Sequence, residues 1–159
     1  MDAPDHEGDA LTPLHPNYVK VVRLFTLGST LPFVIGAIGF ELADRLPRGS
    51  FLIPVLVVAA FLLIRVPLRR YQARGYQLGA DRLRVVRGLL FRTDTVVPFG
   101  RVQHIDVNQG PLERAYGLAT LALHTAGTHN SSVTLPGLAH ADALAMREEI
   151  RAHVKRETV

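Results

Sequence analysis

The side chains of this 159-residue sequence that could do chemistry are its seven histidines, a few serines and a dense set of arginines. His104 and Asp106 are two residues apart, so on a strand they share a face, and His124 and His129 flank a turn further along. Two imidazoles and a carboxylate could hold a divalent metal if they converged. No tight ligand spacing such as His-Glu-x-x-His is present, so solvated or hydrogen-bonded histidines are expected and no metal is assigned. Ser131 and Ser132 lie in a polar loop without the Gly-x-Ser-x-Gly elbow that exposes a nucleophile. The glycines form neither Gly-x-Gly-x-x-Gly nor a phosphate loop ending in Gly-Lys-Ser/Thr. With no cysteine, disulfides, thiolate metal sites and cysteine nucleophiles are excluded. The sequence thus reads as that of a non-enzyme, with no cofactor and no evident small-molecule substrate.

The arginines are more informative. Between residues 65 and 92 there are eight of them and one acid, Asp81. Basic residues at an anionic leaflet contribute on the order of 1 kcal/mol each, which makes Arg69, Arg70, Arg74, Arg82, Arg84, Arg87 and Arg92 candidate ligands of lipid headgroups. For the first three the plainer reading is charge that sets membrane topology; for the last four it is a solvated strand face. A formal charge of +4 and a pI near 10.0 also suggest nucleic acid. Tyr71, Tyr76 and Phe91 lack the spacing of a stacking platform, however, and no nucleic-acid partner is expected.

The elements that must position these residues follow from hydropathy. The chain is 48% hydrophobic with a mean hydropathy of +0.17, but most of that lies in two runs, the 17 uncharged residues 24–40 and the 16 uncharged residues 49–64. Each falls short of the roughly 20 residues that span a bilayer. Snorkelling of Lys20, Arg23 and Arg65 lengthens both, drawing in Tyr18, Val19, Val21 and Val22 before the first run and Val66 and Leu68 after the second. Two membrane-spanning helices are expected at about 19–41 and 49–68, with kinks at Pro32 and Pro54, preceded by a flexible acidic leader over 1–17. Lys20, Arg23, Arg65, Arg69, Arg70 and Arg74 lie on one side of the pair, against Arg45 and Arg48 in the linking loop. By the positive-inside rule both termini are cytoplasmic and the short loop is external, so the chain is expected to be a multi-pass membrane protein.

From residue 75 the pattern becomes short strands with turn punctuation. Tyr76–Leu78, Leu83–Arg87 and Leu90–Val97 form hairpins, and Pro98 closes the third strand. Alternation continues in 102–108 and 118–125, and Val133 with Leu135 makes a last short strand before Pro136 and Gly137. Between them Gly110, Pro111, Leu112, Glu113 and Arg114 read as a turn and a short helical segment, with Gly110 and Gly117 as backbone requirements. After Leu138, Ala143, Met146, Ile150 and Val154 recur at helical steps.

These residues carry a resemblance. Pro98, the run Gln109 to Arg114, Gly117 to Leu121, and Leu135-Pro136-Gly137-Leu138, together with the two apolar runs and Leu14-His15-Pro16, resemble the bacterial pleckstrin-homology-like domain of the YdbS family. The resemblance covers roughly residues 14–155. It implies an α+β chain: a two-helix transmembrane hairpin, then over 75–159 a cytoplasmic antiparallel β-barrel or sandwich capped by a C-terminal helix. It also implies a non-enzymatic role, with the module as an interaction and assembly unit in envelope maintenance. The partner would be a larger PH-domain paralogue or a second copy of the chain, and the segment 110–114 is a candidate contact. The other reading is an anionic-lipid-binding surface built from the residues Arg82 to Arg92.

Overall fold

A computed structural model describes residues 11–43, 47, 49–89, 91–126 and 132–157, with side chains through Val154. Most of the leader, together with Asp44, Arg45, Arg48, His129 and Ser131, lies outside the described residues.

Two long helices, α1 (Tyr18–Leu42) and α2 (Leu52–Gln72), form an antiparallel pair. Their outward faces are almost wholly apolar: Phe25, Leu31, Phe33, Ile35, Ile53, Val57, Phe61 and Ile64 are all exposed. Water does not tolerate so continuous an apolar surface, and both helices are long and apolar enough to cross a membrane. Between them Thr30, Ala37 and Ala59 are buried, small side chains that let the backbones approach. At the far end Phe40 packs on Phe51 with ring centroids 4.7 Å apart. The Glu41 carboxylate accepts from the N–H groups of Gly49 and Leu52, satisfying donors at the start of α2. Pro54 falls in the first turn of α2, where no helical N–H partner is lost, so the ring needs no kink there.

The remainder is a sandwich of two antiparallel sheets and a helix. The first sheet has the order β1 (Thr12–Pro13), β2 (Gly75–Leu78), β3 (Arg82–Arg87) and β4 (Thr93–Pro98). A short 3-10 turn, Phe99–Arg101, leads to the second, β5 (Val102–Asn108), β6 (Leu118–Thr125) and β7 (Ser132–Ala139), with α3 (Pro111–Ala115) between its first two strands. Among the described residues no ladder joins the two sheets, which makes them open layers rather than a closed barrel. Along β3, Leu83 and Val85 point into the core while Arg82 and Arg84 point out. The last helix, α4 (His140–Glu157), lays Ala143, Met146 and Ile150 onto the sheets, all buried, in the expected stripe.

Two sequence expectations change in the structure. The chain joins the fold before residue 17: Thr12 pairs with Tyr76 and Pro13 with Gly75, and Leu14 is fully buried. The base of α1 is likewise not in lipid. Tyr18, Val21 and Val22 sit in the same apolar cluster as Leu83, Phe99 and Leu121, so the first turns of α1 are part of the module's core. Apolar residues in that stretch meet protein instead of acyl chains, and hydropathy alone does not distinguish the two.

Candidate functional site

The seat of the module on α1 organises the site. The Tyr18 ring is 8% exposed and lies against Gly137 of β7, where a Cβ would come within 2.7 Å of the ring. Gly137 also has φ +75°, a conformation side-chain-bearing residues avoid. The Pro-Gly pair expected to end a strand is therefore inside β7, shaped to admit the tyrosine. His15 N–H donates to the Gly137 carbonyl at 2.8 Å, and Asn17 Nδ2 donates to the Tyr116 carbonyl at 3.3 Å. From the link between α2 and β2, Arg74 donates to the Tyr18 hydroxyl. The module and the start of the hairpin are thus fastened by apolar packing and by hydrogen bonds from three directions.

Beside this joint opens a cleft of about 520 Å³. One wall is Tyr18, Val21, Val22 and Phe25 of α1 with Arg70 of α2; the other is Gly110, Pro111, Leu112 and Glu113 with Pro136. The segment expected to touch a partner thus forms half of a mostly apolar groove at the point where α1 leaves the module. Glu113 is occupied structurally: its Oε2 accepts from Gly110 N–H at 2.8 Å and its Oε1 from Thr120 Oγ1 at 2.7 Å. That holds the turn against β6. Leu112 packs on the core from a half-buried position, whereas Pro111 and Arg114 are exposed. Gly117 has the positive φ of a helix end, +67°, as its position suggested. Gly110 does not need to be glycine: its φ is −73°, and an added Cβ would meet Glu113 Oε2 at an ordinary 3.6 Å.

The candidate lipid-headgroup arginines do not form one surface. Arg69 and Arg70 are exposed on the last turn of α2, and Arg74 is turned to Tyr18. Arg82 Nε lies 3.3 Å from Asp81, and Arg84 grips Asp94 with Nη2 at 2.6 Å and Nε at 3.0 Å. Those hydrogen bonds hold the Asp94 carboxyl below its usual range, and the positive charges of Arg84 and Arg92 add to the effect. Arg87 lines a small cleft with Arg74, Leu14, Thr134, Leu135 and Pro136, near the joint. On the outer face of the first sheet, two of the charges that made the run look basic are neutralised in place.

The histidines do meet on one face. His104 and His124 are cross-strand partners, and the Asp106 carboxylate lies between them, 2.8 Å from His104 Nε2 and 3.3 Å from His124 Nε2. Each imidazole faces its own carboxylate oxygen on the open sheet. Among the described residues no group of three such side chains is arranged to hold a metal ion. Sequence reasoning missed the joint itself; its signals were Tyr18 just inside the first helix and the Pro-Gly within a β-run.

Residues 24–154 match the family described as bacterial PH domain. The chain is 33% identical over 94 residues to the UPF0699 transmembrane protein YdbS of Bacillus subtilis (strain 168), an alignment covering 59% of this chain and 55% of that one. It thus spans about half the length of that relative. No solved structure matches it. Two long apolar helices, a sandwich of antiparallel sheets, a terminal helix across them and a match over most of the length lead to one assignment: the chain belongs to the bacterial PH domain family, in its YdbS-like transmembrane form.

Proposed function

We propose that the chain is a non-catalytic protein of the bacterial inner membrane whose two helices both cross the bilayer, leaving both termini and the PH-like module in the cytoplasm. In this reading the module is a docking unit for another membrane-bound PH-domain protein, a larger paralogue or a second copy, in an assembly that maintains the envelope. The observation that carries it is the groove between α1 and the segment 110–113. It opens where the helix enters the module, so a partner held in the same membrane reaches it without leaving the bilayer surface. Its walls offer apolar contact, with the exposed Arg70 as a charge to set register. The arginine count on the cytoplasmic flanks supports the orientation.

A photo-crosslinking residue at Pro111 of the full chain, expressed in bacterial membranes, tests this. The expected adduct is a second copy or a membrane protein with its own PH-like domain, lost when Arg114→Glu and Arg70→Glu are introduced. Adducts to lipid alone would contradict it. The lipid-surface reading has narrower support, because the Arg84–Asp94 pair removes the centre of the proposed patch. What favours it is the pair Arg87 and Arg92, which flank the turn between β3 and β4.

A further inference from the structure

The turn between β3 and β4 carries the most exposed large apolar side chain of the described residues, Phe91 at 86%, with Leu89 beside it at 40%. Its shape is imposed by the backbone. Gly88 has φ +138°, and a Cβ there would fall 1.8 Å from the Phe91 carbonyl oxygen, so the chain doubles back tightly at this point. Leu89 and Phe91 are left outside the core. A soluble surface gains nothing from such a tip, and Arg87 and Arg92 stand on either side of it.

Strand register says where the tip lies. Pro13 pairs with Gly75, and Gly75 with Val86. The chain enters α1 at Tyr18, a few residues beyond Pro13, and emerges from α2 at Gln72, a few residues before Gly75. Both connections to the helices therefore leave from one end of the first sheet, the end where β3 finishes. Leu89 follows the last residue of β3 by two positions, so the turn projects beyond that end of the sheet. The opposite end carries the β2–β3 turn at Ala80, and Arg82 pairs there with Pro98.

We propose that the β3–β4 turn is a membrane-inserting tip. Phe91 and Leu89 enter the boundary between headgroups and acyl chains of the leaflet that α1 and α2 cross, and Arg87 and Arg92 lie at the depth of anionic headgroups. Apolar side chains flanked by arginine suit that layer, where the ring is dehydrated and the guanidinium stays hydrated and paired with phosphate. This inference rests on the reading of the helices as membrane spans and is independent of the docking groove.

The sequence has no cysteine, so single labels can be placed in the full chain. Leu89→Cys, Ala80→Cys and Phe33→Cys, each carrying an environment-sensitive fluorophore, are reconstituted into nanodiscs of phosphatidylcholine with or without phosphatidylglycerol. Quenching by lipids spin-labelled along the acyl chain is then read. The label at Phe33 reports the membrane reading itself and is quenched deeply in both discs. The label at Leu89 is quenched near the interface, with a blue-shifted emission, more strongly with phosphatidylglycerol, while that at Ala80 remains in water. Adding Phe91→Asp returns the Leu89 signal to the level of Ala80, with the Phe33 signal unchanged. A Leu89 label that stays in water while Phe33 is quenched overturns the proposal and leaves the spans standing. A Phe33 label that is not quenched overturns both. Shielding at Leu89 that follows the number of copies per disc, and not the lipid, assigns the tip to a protein contact and overturns it as well.

Discussion

The two apolar helices are both long enough to cross a membrane and unequal in what they do. The first turns of α1 bury Tyr18, Val21 and Val22 in the module, whereas the described buried residues of α2 are Ala59 and Pro67, with Tyr71 only partly packed on the core. One helix is a root of the PH-like fold and the other runs alongside it. The contrast shows that a PH-like module can be fastened to an apolar helix pair by sharing its core with one helix, which holds the module's groove in a fixed relation to that pair. A flexible linker would let that groove face any direction.

The sharpest way to break this contrast is to remove the root. Tyr18→Ala deletes a buried aromatic and is expected to cost about 3–5 kcal/mol of module stability, measured by thermal unfolding of the full chain in detergent. Tyr71→Ala in α2 should cost clearly less. Equal losses would mean that both helices are rooted. A second substitution works from the opposite side of the same joint. Gly137→Ala sets a Cβ 2.7 Å from the Tyr18 ring at φ +75°, with an expected loss of about 1–3 kcal/mol. Combined with Tyr18→Ala the two losses should not add, because the ring that clashes is gone.

A smaller effect is expected at the groove. Glu113→Ala leaves the Gly110 N–H and the Thr120 hydroxyl without their carboxylate, a loss of about 1–2 kcal/mol. Glu113→Gln, which keeps an acceptor, should lose less, as read by hydrogen exchange at Gly110.

The smallest effect belongs to the outer face of the first sheet. Asp94 titrates below its ordinary 3.8 because Arg84 bonds its charged form. A depressed carboxylate pKa stabilises the fold above the unfolded value and loses that contribution as pH falls through the folded value. Acidification below pH 3.8 should therefore weaken this hairpin, with no change near neutrality. Arg84→Gln should move the Asp94 titration, followed by NMR, back up toward 3.8 while the melting temperature at pH 7 barely shifts, since the pair is exposed to water.

Regular patterning was readable and tertiary placement was not. β5 and β6 have the expected bounds because apolar and polar residues alternate through Val102–Asn108 and Leu118–Thr125. The stripe of α4 was legible for the same reason at a period near 3.6. The strand expected from Leu90 begins instead at Thr93, since the close approach of Gly88 to Phe91 turns the chain before it; Leu90 itself lies outside the described residues. The pairing of Arg84 with Asp94 follows from a register that sets Arg84 opposite Val96 and Asp94 opposite Val86. Counting charges along the chain cannot reveal it. Tyr18, Val21 and Val22 have the same hydropathy in lipid and in a core, so only the packing of β7 around them shows which they meet. The segment 110–114 folds as a turn and short helix, as its pattern suggested, but the facing wall of the groove comes from α1, nearly 90 residues earlier.

The seat of the module on α1 can be tested most directly with spin labels in the cysteine-free chain. Arg23→Cys on α1 and Arg151→Cys on α4, both exposed positions, are labelled and measured by pulsed dipolar spectroscopy in nanodiscs. A single narrow distance, unchanged by lipid composition and broadened by Gly137→Ala, is the result this account predicts. A broad distribution in the unsubstituted background would mean that the module swings on its anchor, and would contradict it.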